Sequence, residues 1–197
     1  MPNNNTKHTP RRDRLAFFQE FLKHPLQIGS VIPSSRFLEE RVLRTAGLAT
    51  ARTVVELGSG TGGTTRAILH ALPPDARLLS IEINPHFHRL VGTIRDPRLI
   101  AHLGSACDLK AILETYGLDA PDAIISGIPF STMPQELGTE VLAAVAAVLS
   151  PQGRFVAYQV SNRVAELCRP YLGTGRMELE FLNIPPMRVI RWEKQGI

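Results

Sequence analysis

Two cysteines, Cys107 and Cys168, are all that the 197-residue sequence contains. They are too few for a disulfide framework and cannot by themselves furnish a zinc site, so no metal is expected. Long apolar runs are missing as well. The longest, Val141 to Leu149, is about half of the roughly 20 residues that a spanning helix needs. No apolar segment follows the polar start Met1 to Arg14, so no signal peptide is expected. Glycine and proline, 15 of each, are too few for a collagen-like or low-complexity chain. What is present is an ordinary globular mixture, 44% hydrophobic and 20% charged, in a length suited to one domain. A soluble, reducing, cytoplasmic setting is the expectation.

The formal net charge is +4, with a pI near 9.4. Residues 1–44 hold eight basic groups against four acids, which is the whole excess, and residues 45–197 sum to zero. An anionic partner is therefore sought at the N-terminus. From Arg11 to His24, the apolar residues Leu15, Phe17, Phe18, Phe21 and Leu22 recur at helical spacing among or beside Arg11, Arg12, Arg14 and Lys23. Pro25 ends the predicted helix. Such a helix can lie in a bilayer interface. The basic groups before Pro25, less Asp13 and Glu20, would contribute roughly 3 kcal/mol at an anionic surface, weakened by salt. Two other readings stay open: the phenylalanines pack on the domain core, or the arm binds nucleic acid. Residues 1–45 are thus expected to form a basic amphipathic helical extension, and residues 46–197 the body.

A second helix is predicted from Arg36 to Arg44, capped by Ser34 or Ser35 and stopped by Gly47. Beyond it, strands and helices alternate. Strands are predicted at Thr53 to Leu57, Leu78 to Ile83, Leu99 to Leu103, Ala123 to Ser126 and Arg154 to Val160. Helices are predicted at Thr64 to Leu72, Pro85 to Ile94, Leu109 to Tyr116, Pro134 to Leu149 and Arg163 to Leu172. Two last strands, Met177 to Asn183 and Arg188 to Lys194, have no helix between them. The pattern predicts an α/β fold with a doubly wound, mostly parallel, seven-stranded sheet and an antiparallel edge element.

The segment Val54-Val55-Glu56-Leu57-Gly58-Ser59-Gly60-Thr61-Gly62-Gly63 joins a strand to a helix. Glycines there permit a tight turn and close approach of backbone to a ligand. Gly58, Gly60 and Gly63 fit the dinucleotide pattern, which keeps a dehydrogenase in view. No Gly-Lys-Ser/Thr follows, which excludes a P-loop. Glu56 stands at the end of a strand that should be buried, where a carboxylate is costly without a partner. Its useful partners are loop amides or a cationic ligand. Glu82 ends the next strand, about 20 residues past the loop, where a carboxylate can accept hydrogen bonds from a ribose. Asp108 follows the third strand and can cap the next helix.

The run Glu-Leu-Gly-Ser-Gly-Thr-Gly resembles motif I of the class I S-adenosylmethionine-dependent methyltransferases, whose fold is Rossmann-like. The resemblance implies that S-adenosylmethionine is the cofactor and S-adenosylhomocysteine the product. It implies that Glu56, Gly58, Ser59, Gly60, Thr61 and Gly62 cradle the methionine end, and that Glu82, with Ile83 beside it, takes the ribose. It gives Asp108 the adenine amino group as a second role, compatible with capping.

The fourth strand ends in Ser126-Gly127-Ile128-Pro129-Phe130, where that family faces the methyl group. The rRNA adenine dimethylases carry Asn-Leu-Pro-Tyr/Phe there, and this chain has Gly127 in place of the Asn. Four segments together resemble the bacterial phospholipid N-methyltransferases that act on phosphatidylethanolamine. They are Phe21-Leu22-Lys23-His24-Pro25 with Ile28-Gly29-Ser30-Val31-Ile32-Pro33-Ser34-Ser35, the glycine loop, Ser126-Gly127-Ile128-Pro129, and Asn183-Ile184-Pro185-Pro186-Met187-Arg188-Val189. The resemblance implies an amine-bearing lipid as acceptor and a peripheral place on the inner face of an anionic membrane. Ornithine lipids are a related acceptor class. Nucleic-acid adenine and a non-catalytic, cofactor-binding regulator are the alternatives. Transfer needs water excluded and nitrogen, methyl and sulfur aligned. Candidates to orient or deprotonate the amine are Ser126 (also placed against the cofactor) and Gly127 through their carbonyls, with the side chains of His24, Tyr158 and Glu136. Phe130 is a candidate to face a methylammonium. Arg188 is a candidate for a lipid phosphate, with Pro129 beside the substrate.

Overall fold

A computed structural model of the chain describes residues 35–196. The predicted amphipathic helix, with His24, lies outside the described residues.

The first described helix, α1 (Arg36–Ala46), starts where the Ser35 hydroxyl accepts the Leu38 N–H at 3.2 Å. It stops at Gly47, whose φ of 69° is left-handed and whose N–H reaches the Leu43 carbonyl. The helix runs two residues beyond Arg44, because nothing opposes helical geometry before that glycine. There follow β1 (Thr53–Leu57), α2 (Gly63–Ala71), β2 (Arg77–Glu82), α3 (Pro85–Val91) and β3 (Leu99–Leu103). The chain continues through α4 (Leu109–Thr115), β4 (Ala123–Ser126), α5 (Gln135–Val148), β5 (Arg154–Gln159), α6 (Arg163–Leu172), β6 (Arg176–Glu180) and β7 (Met187–Glu193).

The seven strands form one sheet in the order β3-β2-β1-β4-β5-β7-β6. The first five in that order are mutually parallel, and β7 runs antiparallel to both β5 and β6. The fold is therefore the expected doubly wound, mostly parallel sheet, with the antiparallel pairing at one edge. β1 is buried along its whole length, as a central parallel strand covered on both faces must be. Many expected boundaries shift by a residue, and two element ends draw back by three. α3 closes at Val91, where the Gly92 N–H returns to His88. β6 closes at Glu180, whose buried carboxylate turns to accept the Leu182 N–H at 2.9 Å and so takes the chain out of the ladder.

Two hydrophobic layers clasp the sheet. On one face α4, α5 and α6 cover Val55, Leu57, Ile124, Phe155 and Ala157, and Trp192 stacks on Phe155 at 5.2 Å. On the other face α1 and α2 cover Val54, Ile125, Val156 and Val189 through Leu38, Val42, Ala46 and Ile68. The described part of the N-terminal extension is thus a layer of the domain.

That packing makes α1 structural. Leu38 is 1% exposed. Leu38→Ala is expected to lower unfolding stability by roughly 2–5 kcal/mol in urea titration. A loss below about 0.5 kcal/mol would mean that α1 does not share the core.

Candidate functional site

Three loops meet at the carboxyl end of the parallel strands, where open α/β sheets bind ligands. They follow β1, β2 and β4. The sheet ladder extends one residue into two of them: the Gly58 N–H donates to Ile81 O and the Gly127 N–H to Leu57 O, each at 2.9 Å. Gly58, Gly60 and Gly62 all have positive φ, 78°, 53° and 85°, a conformation that side chains rarely adopt. A Cβ on Gly58 would meet Ile128 at 3.3 Å, whereas one on Gly60 would meet nothing within 4 Å. The loop therefore packs closely against the β4 side and leaves open space above Gly60.

Glu56 is 1% exposed. Its Oε2 accepts from Thr65 Oγ1 at 2.6 Å and Ser80 Oγ at 2.8 Å. Its Oε1 is buried with no hydrogen-bond partner. Burial pushes this carboxyl up to about 7, and the two hydroxyl donors only partly oppose it. Glu82 accepts from Gly60 N at 3.0 Å and Asn84 N at 2.9 Å, with Ser59 Oγ at 3.5 Å. Burial raises its pKa too, against those donors. A carboxylate has about four acceptor positions; with the Ile83 N–H also donating, Glu82 shapes the glycine loop, and a ligand hydroxyl there would replace the long Ser59 contact.

S-adenosylmethionine fits this set of groups. An unpartnered buried carboxylate oxygen, a glycine turn open on one side and a second carboxylate at the next strand end suit an ammonium, a close-lying chain and a ribose. Ser59 is buried under the loop, Thr61 is exposed at its tip and Ile83 is half-buried beside Glu82. Asp108 sits at the end of the turn Ala106–Asp108, and its side chain makes no capping bond to α4. Ser105 caps the preceding turn instead, accepting from Cys107 N at 3.2 Å.

The fourth strand end is reorganised by Tyr158. A Cβ on Gly127 would lie 2.6 Å from Tyr158 Oη and 3.0 Å from Gly58 O. The tyrosine hydroxyl fills the space of a residue-127 side chain, which is why Gly stands where adenine dimethylases carry Asn. Tyr158 Oη also lies 3.3 Å from Thr64 Oγ1. Burial raises the phenol to about 12, so it is neutral at physiological pH and cannot act as a base there. Ser126 is fully buried, and its Oγ accepts from Ile128 N at 3.3 Å.

Other sequence candidates stand elsewhere. Phe130 is fully buried with Met133 in the core beneath α5, its ring 3.5 Å from where a Cβ on Gly138 would lie. It offers no face to a cation, because the turn after Pro129 directs it inward. Glu136 is exposed on the first turn of α5. Pro129 is half-buried, and Arg188 on β7 donates to the Val160 carbonyl. Structure adds two residues. Gln159 donates through Nε2 to the Ile128 carbonyl and pins the loop after β4. Glu39 on α1 reaches the start of α2, its Oε1 3.3 Å from the Cβ position of Gly63. Burial raises its pKa, and its charge acts on Tyr158. No motif marks Glu39, since only the packing of α1 across the sheet brings it there. A polar groove lined by Arg52, Asp75, Arg77 and Tyr116 lies at the opposite, amino end of β1 and β2. Among the described residues no cluster of His, Cys, Asp or Glu could hold a metal ion.

No family model matches the chain. It is 36% identical over 184 residues to an ornithine lipid N-methyltransferase from Singulisphaera acidiphila, covering 89% of this chain and 93% of that one. Its fold is similar to that of the N-methyltransferase NodS from Bradyrhizobium japonicum in complex with S-adenosylhomocysteine. The TM-score is 0.68 over 90% of this chain and 98% of NodS, at 13% identity. The O-methyltransferase TomG from Streptomyces achromogenes, in complex with S-adenosylmethionine, gives 0.65 over 93% of this chain and 90% of TomG, at 16% identity. At such identities the two likenesses speak for the fold.

Two measurements test the site. Folded Glu56 keeps its proton up to about pH 7, whereas the unfolded chain releases it near the ordinary 4.5. The folded state binds more protons in that window, so stability falls as pH rises through it. Without ligand, the loss of stability between pH 5 and pH 8 should be smaller in Glu56→Gln than in the parent by roughly 1–3 kcal/mol. Equal losses would remove the assignment. Gly60→Asp keeps a residue type tolerant of positive φ and points into open space. It should unfold within about 1 kcal/mol of the parent yet bind S-adenosylhomocysteine at least about tenfold more weakly in calorimetry. Parental affinity would show that the loop does not hold the cofactor.

Proposed function

The chain belongs to the family of its lipid N-methyltransferase relative, as a class I S-adenosylmethionine-dependent methyltransferase, and from that premise we propose that it methylates the amine of a membrane-lipid headgroup. The observation that carries the reading is the 36% identity over nearly the whole of both chains. The exchange of an Asn side chain for the Gly127–Tyr158 contact supports it against adenine as acceptor.

Ornithine lipid, which the relative's name gives, and phosphatidylethanolamine are the acceptors of choice. Both present a primary amine beside an anionic group. Bound S-adenosylmethionine supplies a methyl group activated on a sulfonium. Glu56 and the loop Gly58 to Gly62 hold its methionine end, Glu82 with Ile83 its ribose, and Asp108 its adenine. The chain's own work is then positional. The carbonyls of Ser126 and Gly127 and the neutral hydroxyl of Tyr158 accept hydrogen bonds from the amine and fix its lone pair in line. An ammonium must lose one proton before attack, and Glu39, which reaches the start of α2 and whose charge acts on Tyr158, is the carboxylate assigned that role. Arg188 pairs with the anionic group of the headgroup, with Pro129 lining the path. The enzyme works from the inner face of the membrane, held there by an anionic surface.

Radiolabelled S-adenosylmethionine should transfer label to lipid when the protein is given ornithine lipid vesicles, phosphatidylethanolamine vesicles or ribosomal RNA in parallel. Label in only one lipid fixes the acceptor. Label in RNA alone would overturn the lipid reading.

A further inference from the structure

The segment between β6 and β7 inverts the usual polarity of a loop. Its polar residues face in. Glu180, 4% exposed, accepts from Leu182 N at 2.9 Å and from Arg41 Nε at 2.7 Å. Asn183, 7% exposed, accepts from Ser35 N at 2.9 Å and donates to Pro185 O at 2.8 Å. Its apolar residues face out. Phe181, Leu182 and Ile184 are 69%, 63% and 81% exposed. The backbone is thus anchored at its base to α1 and β6, while three large side chains project away from the protein. From Phe181 to Met187 the segment carries no charge.

Its place in the fold gives this feature a direction. β7 is antiparallel to both β5 and β6, so β6 runs with the parallel strands. The segment 181–186 therefore lies at the carboxyl end of the sheet, the end that holds the glycine loop and Gly127. Gln159, last in β5, pairs with Arg188. From β4 to β7 is two strand spacings, roughly 10 Å. Basic and aromatic groups flank the segment: Arg188 at the start of β7, and Arg36, stacked over Phe37 at 4.8 Å, next to the Ser35 that holds Asn183. Apolar tips with a basic rim match the boundary between acyl chains and anionic headgroups.

We infer that Phe181, Leu182 and Ile184 form a fixed wedge that enters the lipid interface and sets the carboxyl end of the sheet against the bilayer. The inference rests on the lipid reading above and adds the surface through which the enzyme meets its substrate. A headgroup amine can then approach Gly127 without its lipid leaving the membrane, because the segment lies at the same end of the sheet, two to three strand spacings from the end of β4.

The test uses the full chain and vesicles of phosphatidylethanolamine and phosphatidylglycerol. In sedimentation, F181S/L182S/I184S should bind at least about tenfold more weakly than the parent, with S-adenosylhomocysteine affinity unchanged as proof of folding. I184S alone should show a smaller loss in the same direction. An environment-sensitive fluorophore on I184C, in a Cys107→Ser background, should shift to the blue when vesicles are added. Parental vesicle binding by the triple variant, a parent that does not bind vesicles, or a label that does not respond would each overturn the wedge. A label already shielded without vesicles would show that the chain's own residues 1–34 cover the segment, and would overturn it too. If the parent binds vesicles through the wedge but methylates neither lipid, the acceptor reading fails and the wedge stands.

Discussion

The hydrogen-bond ladder that ties β1 to β2 and β4 does not stop with the strands. It continues to Gly58 and Gly127, and the site depends on those two bonds. The Gly127 bond to Leu57 holds the loop after β4 against the end of β1, so close to the glycine loop that a side chain on Gly127 would collide with Gly58 O and Tyr158, and one on Gly58 would press on Ile128. The glycine turn can then spend its conformational freedom on three positive-φ positions. A parallel sheet makes this possible, because all its loops of one kind emerge at one end.

The same compactness puts carboxylates where they are least comfortable. Glu56 is driven towards its neutral form and keeps one oxygen without a partner. Under the cofactor reading proposed above, a cationic group near Oε1 would restore the ionised form and complete its hydrogen bonds. Glu82 follows the same logic more mildly, because loop amides already serve it.

Much of the fold could be read from periodicity. Alternating strand and helix segments, with turn residues between them, leave few topologies for a parallel sheet. The half of the site proposed to hold the cofactor was legible for a related reason. Glu56, Gly58, Gly60, Gly62 and Glu82 act through backbone geometry and strand-end position, which local sequence encodes. The acceptor half was not. Phe130 stands in a motif that elsewhere faces substrate, yet the turn after Pro129 sends its ring into the core. Glu39 lies on a helix that looks like part of a basic extension, and reaches the site only because Leu38 and Val42 bury that helix on the sheet.

By itself, then, the sequence determined the order of elements, the glycine turn, the two strand-end carboxylates and the family that they mark. These depend on residues near one another along the chain. Tertiary structure decided what fills the space at Gly127, which aromatic is core and which faces the site, and that a carboxylate from α1 joins it. It also decided that Glu180 and Asn183 turn inward while Phe181, Leu182 and Ile184 turn outward. Those outcomes depend on contacts between segments far apart in sequence, where packing and desolvation, and not local preference, choose the side each residue takes.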